Sequence, residues 1–130
     1  MPYEAGALHS MPGKILLLLD NLFFAGKILP AAAEAGREVV RARTASRALE
    51  LARSERPAMI ILDLDASECG PLELLRQLKA DEELARIPTL GFVSHVNTGR
   101  QAEAREAGCD RVLARSAFDR DLRSLLTPPV

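Results

Sequence analysis

The chain has 130 residues, 17 lysines and arginines against 18 acids, a net charge of −1 and a hydrophobic share of 48%. That length supports one domain around one substantial core and excludes a second. The charge balance excludes the basic face that nucleic-acid phosphates demand, and the composition excludes a disordered or fibrous chain. Cys69 and Cys109 stand far apart with no metal-ligand spacing, so reduced thiols are expected and a zinc site or disulfide framework is not. The longest apolar run, 15–19, is far short of a membrane span, and the start lacks the pattern of a signal peptide; a cytoplasmic protein with no membrane partner is expected.

Residues 1–13 show no periodicity and carry two prolines and two glycines, which reads as a flexible leader, with the domain proper over 14–127. A first strand is predicted over 15–20, an unbroken apolar run closed by Asp20. A helix follows over 22–35, ended by Gly36 where a left-handed cap is needed. The second strand, 38–43, alternates apolar and charged residues and belongs at or near a sheet edge. A helix over 46–55 leads through Pro57 to a third strand over 58–63, again apolar until a carboxylate, Asp63, closes it.

The next helix, 72–84, places Leu72, Leu74, Leu75 and Leu78 on one stripe with Glu73, Arg76, Gln77 and Lys79 outside it. Pro88 opens a fourth strand over 88–93, a helix over 99–107 ends at Gly108, a fifth strand covers 111–114, and a last helix covers 117–126. Alternating strands and helices of this length predict a parallel, doubly wound α/β sheet of five strands in three layers. Asp20 and Asp63 then lie at the carboxyl ends of buried parallel strands, where such sheets put their chemistry. Two carboxylates there can hold a hard cation or accept a phosphoryl group.

Other readings find little support. No Ser/His/Asp order, glycine-rich phosphate loop or metal-binding histidine spacing is present, so no enzyme activity is expected beyond self-phosphorylation on an aspartate. His95 reads as a loop hydrogen-bonder, and Cys69 lacks the basic neighbours that would make it a redox sensor. Phe23, Phe24 and Phe118 fall at helix starts and read as core, with exposure of any one the mark of a docking patch.

Over 14–126 the chain resembles the receiver domains of two-component response regulators, the CheY-like (flavodoxin-like) fold, in a degenerate or pseudo-receiver form. The resemblance is carried by 57–63 ending in Asp63, the helix beginning near Glu73, Ile87 and Pro88 before the fourth strand, and Ala107, Gly108, Cys109 and Asp110 before the fifth. It implies Asp63 as phosphoacceptor, Arg115 in place of a lysine, Ser94 as the switch hydroxyl because Val93 holds the aligned position, and no organic cofactor. It also implies a magnesium ion on Asp20, Asp63 and the backbone carbonyl of Asp65. Leu19 stands where a second acid belongs, and a unit charge about 5 Å away is worth roughly 3 kcal/mol at an effective dielectric of 20, so magnesium should bind weakly.

The implied function is a single-domain receiver in bacterial phosphorelay signalling with a degenerate site around Asp63. The alternative is a phosphorylation-independent pseudo-receiver working by protein–protein contact; a metal at Asp20 and Asp63 favours the first, an Arg115 to Asp63 bridge the second. The implied partners are a histidine kinase or phosphotransfer protein, and a downstream protein on the face of the fourth helix, fifth strand and fifth helix. That face includes Arg100, Arg105, Arg115 and Arg120.

Overall fold

The computed structural model describes residues 13–127. Its elements run β1 (Ile15–Leu18), α1 (Leu22–Glu34), β2 (Val39–Ala42), α2 (Ala45–Glu55), β3 (Met59–Asp63), α3 (Pro71–Ala80), β4 (Thr89–Val93), α4 (Thr98–Glu106), β5 (Arg111–Ala114), α5 (Arg115–Arg120) and α6 (Leu122–Leu126). Short 3₁₀ turns occupy Ser67–Cys69 and Leu84–Arg86. All five strands are parallel in the order β2-β1-β3-β4-β5, so the expected doubly wound sheet is present and β2 is indeed an edge strand.

The central strands are apolar because both faces are covered. On one face Leu16, Leu18, Ile60 and Leu62 meet Ala48 and Leu51 of α2, Leu74, Leu75 and Leu78 of α3, and Ala104 of α4. On the other, Ile15, Leu17, Ile61, Leu90 and Phe92 meet Phe24 and Ile28 of α1, Phe118 of α5, and Leu122 and Leu126 of α6. Phe92 stacks between Phe24 and Phe118, with ring centroids at 4.7 and 4.6 Å.

The elements depart from expectation at their ends. β1 stops at Leu18, so Asp20 lies two residues beyond the strand. α3 stops at Ala80 because the Asp81 carboxylate accepts the Glu83 and Leu84 N–H groups, closing a turn of its own. The last helix begins at Arg115 and breaks at Asp121 into two short pieces. Gly36 and Gly108 take positive φ, 72° and 100°, as their cap positions required.

The leader expected over 1–13 lies outside the described residues except for Gly13, whose carbonyl accepts from Arg37 Nε at 2.9 Å. Arg37, buried, also donates to the Leu126 carbonyl at 3.1 Å and so ties the start of the domain to its last helix. No helix among the described residues is long and apolar enough to cross a membrane.

Candidate functional site

The strand order reverses between β1 and β3, and the carboxyl ends of β3, β4 and β5 converge on one mouth beside that switch point. Asp63 ends β3 opposite Phe92 and is only 3% exposed. Its Oδ1 accepts the Asp65 N–H at 3.0 Å and Arg115 Nη2 at 3.1 Å. Its Oδ2 accepts from no described residue. Burial pushes the Asp63 carboxyl above its ordinary pKa, and the Arg115 guanidinium only partly opposes that shift.

Arg115 directly follows β5, which covers 111–114 as expected, and opens α5 two residues before the predicted helix start. One nitrogen, Nη2, serves both Asp63 Oδ1 and Asp65 Oδ2, the latter at 3.2 Å, in place of a two-toothed fork onto one carboxylate. The guanidinium carbon lies 4.6 Å from the Phe24 ring centroid and 5.0 Å from that of Phe92. The aromatic stack therefore holds the planar head of Arg115 in place, as it would not hold the compact ammonium of a lysine.

Asp65 takes part through its carboxylate, not only through the backbone. Oδ2 accepts the Ser94 N–H at 2.8 Å and Oδ1 accepts Asn97 Nδ2 at 3.3 Å, while the backbone carbonyl accepts the Ser67 N–H at 3.0 Å. Ser94 thus contributes its N–H; its hydroxyl makes no hydrogen bond among the described residues. Arg100 is likewise drawn in, donating to the Leu64 carbonyl at 3.0 Å and to Ser67 Oγ at 3.2 Å. Of the four arginines expected on the outer face, Arg100 and Arg115 are turned into the site, and Arg105 and Arg120 remain exposed.

Asp20 makes no hydrogen bond to Asp63, Asp65 or Arg115 among the described residues. It is exposed, and its Oδ1 pairs with Arg43 at 3.2 and 3.3 Å. Leu19 is fully buried against the aromatic face and offers no oxygen. Among the described residues no three His, Cys, Asp or Glu side chains converge as a metal cluster. As arranged, the donors fit a magnesium ion poorly: one carboxylate oxygen of Asp63 and one lone pair of the Asp65 carbonyl, with the cationic Arg115 beside them.

Beside Arg115 a cleft of about 530 Å³ opens between α1 and α5, bordered by Phe23, Lys27, His95, Ser116 and Asp119. Phe24 and Phe118 are core, but Phe23 is 74% exposed, and with Leu22 and Val96 it leaves the mouth with an apolar rim. Cys69 is buried, and burial, then Asp20 and Asp63, push its thiol pKa up, which opposes thiolate chemistry.

Asn97 caps α4, its side-chain oxygen accepting the Arg100 N–H at 3.2 Å. The Asp65 carboxylate and the inward turn of Arg100 were missed, since neither leaves a periodic signal.

A doubly wound five-stranded parallel sheet, with an acid buried at the end of its central strand and a cation reaching it from the start of α5, defines a CheY-like α/β domain. The polar-differentiation response regulator DivK of Brucella anthropi is 30% identical to this chain over 105 residues, covering 81% of this chain and 85% of the relative. The phosphorylated cyanobacterial phytochrome response regulator RcpA superposes with a TM-score of 0.74 at 26% identity, over 88% of this chain and 89% of its own. The receiver domain of the Pseudomonas aeruginosa sensor histidine kinase PA1611, which has magnesium coordinated in its active-site cleft, superposes at 0.77 and 22% identity over 88% and 94%. No family model matches the chain. The chain belongs to the response regulator receiver family of two-component signalling.

Proposed function

We propose that this receiver acts as a protein-interaction module in two-component signalling whose contacts do not depend on phosphorylation of Asp63. The observation that carries the reading is Arg115, whose Nη2 lies 3.1 Å from Asp63 and 3.2 Å from Asp65 and places a resident positive charge between the two acids. A divalent ion would supply that positive charge in a metal-loaded site. With Leu19 buried and Asp20 held by Arg43, the acids that would recruit such an ion are lost or engaged. Catalysis on any other substrate forms no part of this role. A partner protein would settle on the face of α4, β5 and α5, with the exposed Phe23 at its border.

One observation favours a second reading, phosphotransfer from a histidine kinase or phosphotransfer protein onto Asp63: its Oδ2 accepts no hydrogen bond from the described residues. In that reading Arg115 would steady the phosphoryl group, and the Ser94 hydroxyl would have to turn toward it. An amide NMR titration with magnesium, then beryllofluoride, separates the two. Under the first reading the signals of Asp63, Asp65 and Ser94 stay in place at millimolar magnesium and after beryllofluoride, and Asp63→Asn binds its partner as the parent does. Saturating shifts that spread into α4 would transfer the function to the second.

A further inference from the structure

A phosphoryl group on Asp63 would draw its hydrogen-bond donors from residues just past the strand ends on one side of β3, those of β4, which pairs with β3, and of β5, which pairs with β4. In this chain both are already taken by an anion. The first residue after β4, Ser94, gives its N–H to Asp65 Oδ2 at 2.8 Å, and the first residue after β5, Arg115, gives Nη2 to the same oxygen at 3.2 Å. Asn97 adds a third donor to the other oxygen. A carboxylate so placed presents negative charge beside Asp63 and is held from two separate strand ends, as a phosphoryl group would be.

We infer that Asp65 is a resident anion that stands in for the phosphoryl group and holds the 94–97 loop and the start of α4 in one fixed arrangement. This rests on the phosphorylation-independent reading and supplies the residue behind it. Arg100 works in the opposite direction on the same pair of loops: from α4 it binds the Leu64 carbonyl and Ser67 Oγ. The segments 64–67 and 94–100 are therefore cross-linked by an acid from the first and a base from the second. Removing Asp65 loosens Ser94 and Asn97 and leaves Arg115 on Asp63 alone. Asp65 acts through its neighbours and is a positioning residue.

The test is hydrogen exchange at the Ser94 amide, read by NMR in the whole chain. A charged acceptor lost from a sheltered N–H should speed its exchange by about tenfold or more, so Asp65→Ala is expected to exchange that much faster at Ser94 while Ile61 in the core is unchanged. High acetate, which can refill the vacated carboxylate position, should slow it again. Exchange within about twofold of the parent, or an acceleration that acetate does not reverse, would overturn the inference. Where Asp65→Ala does not fold, Asp65→Ser, whose hydroxyl is too short to reach the Ser94 N–H, reads the same amide with the same expected acceleration. The beryllofluoride titration of the parent tests the underlying reading separately: a response there removes phosphorylation independence and leaves the clasp at Ser94 to be judged on its own exchange rates.

Discussion

Asp63 and Arg115 are a pair in which each side chain is held where the other needs it, but by different forces. The acid is at the end of a buried strand, and its charge is unfavourable there despite the guanidinium, because burial outweighs attraction in raising its pKa. The native state then binds the Asp63 proton more tightly than the unfolded chain, so stability declines as pH rises from the ordinary value of 3.8 up to the raised one, and stays reduced above it. Asp63→Asn removes that penalty. Urea midpoints should show the variant more stable than the parent at pH 7, with the gap closing as pH falls through that window; a gap that widens on acidification would refute the account. Arg115→Lys tests the other partner. A lysine cannot spread over Phe24 and Phe92 while reaching both Asp63 and Asp65, and the loss of one charged hydrogen bond with its stacking should cost about 1–3 kcal/mol in denaturant unfolding. Asp63 was legible in the sequence because an apolar run stops on it. The carboxylate of Asp65 was not, because its partners Ser94, Asn97 and Arg115 lie 29 to 50 residues further along, and loop-to-loop pairing has no period to read.

At the level of elements, the placing of the site depends on how closely β3 and β4 approach beyond their hydrogen bonds. Gly91 sits in the middle of β4, and a Cβ added there would meet Leu64 Cδ1 at 2.5 Å and Cγ at 2.9 Å. Leu64 is the residue between Asp63 and Asp65, fully buried, so a side chain at position 91 would push the very turn that carries both acids. Gly91→Ala should therefore destabilise by about 1–3 kcal/mol and shift the amide signals of Asp65 and Ser94 together; a neutral substitution would show that Leu64 has room to give. Strand order and helix faces followed from the sequence because burial imposes a period: continuous for strands covered twice, 3.6 for helices covered once. Helix ends followed less well. α3 ends early at Asp81 and the last helical segment is interrupted at Asp121, and whether such a residue breaks or continues a helix depends on contacts that a stripe of leucines does not report.

On the scale of the whole molecule, the two apolar clusters share one sheet only a single residue thick, and this makes them thermodynamically one body. Ile61 and Phe92 face α1 and α5, while Leu62 and Val93, their immediate neighbours in the same strands, face α2, α3 and α4. Loss of packing on either face withdraws support from backbone that the other face also needs, and a domain of this size is expected to unfold in one step. The two thiols report on one face alone, since Cys69 and Cys109 are both buried in the cluster under α2, α3 and α4, and both have pKa values raised by burial. Phe118 is buried in the opposite cluster, stacked on Phe92. Phe118→Ala should cost about 3–5 kcal/mol through the cavity it leaves. If the sheet couples the faces, the denaturant concentration at which Cys69 and Cys109 become open to a thiol reagent should fall by the same amount as the midpoint seen by circular dichroism. Thiols that keep the parent's midpoint while the α1 and α5 side melts early would mean that the faces unfold separately. The site, set on strand ends shared by both faces, would then be held by only one of them.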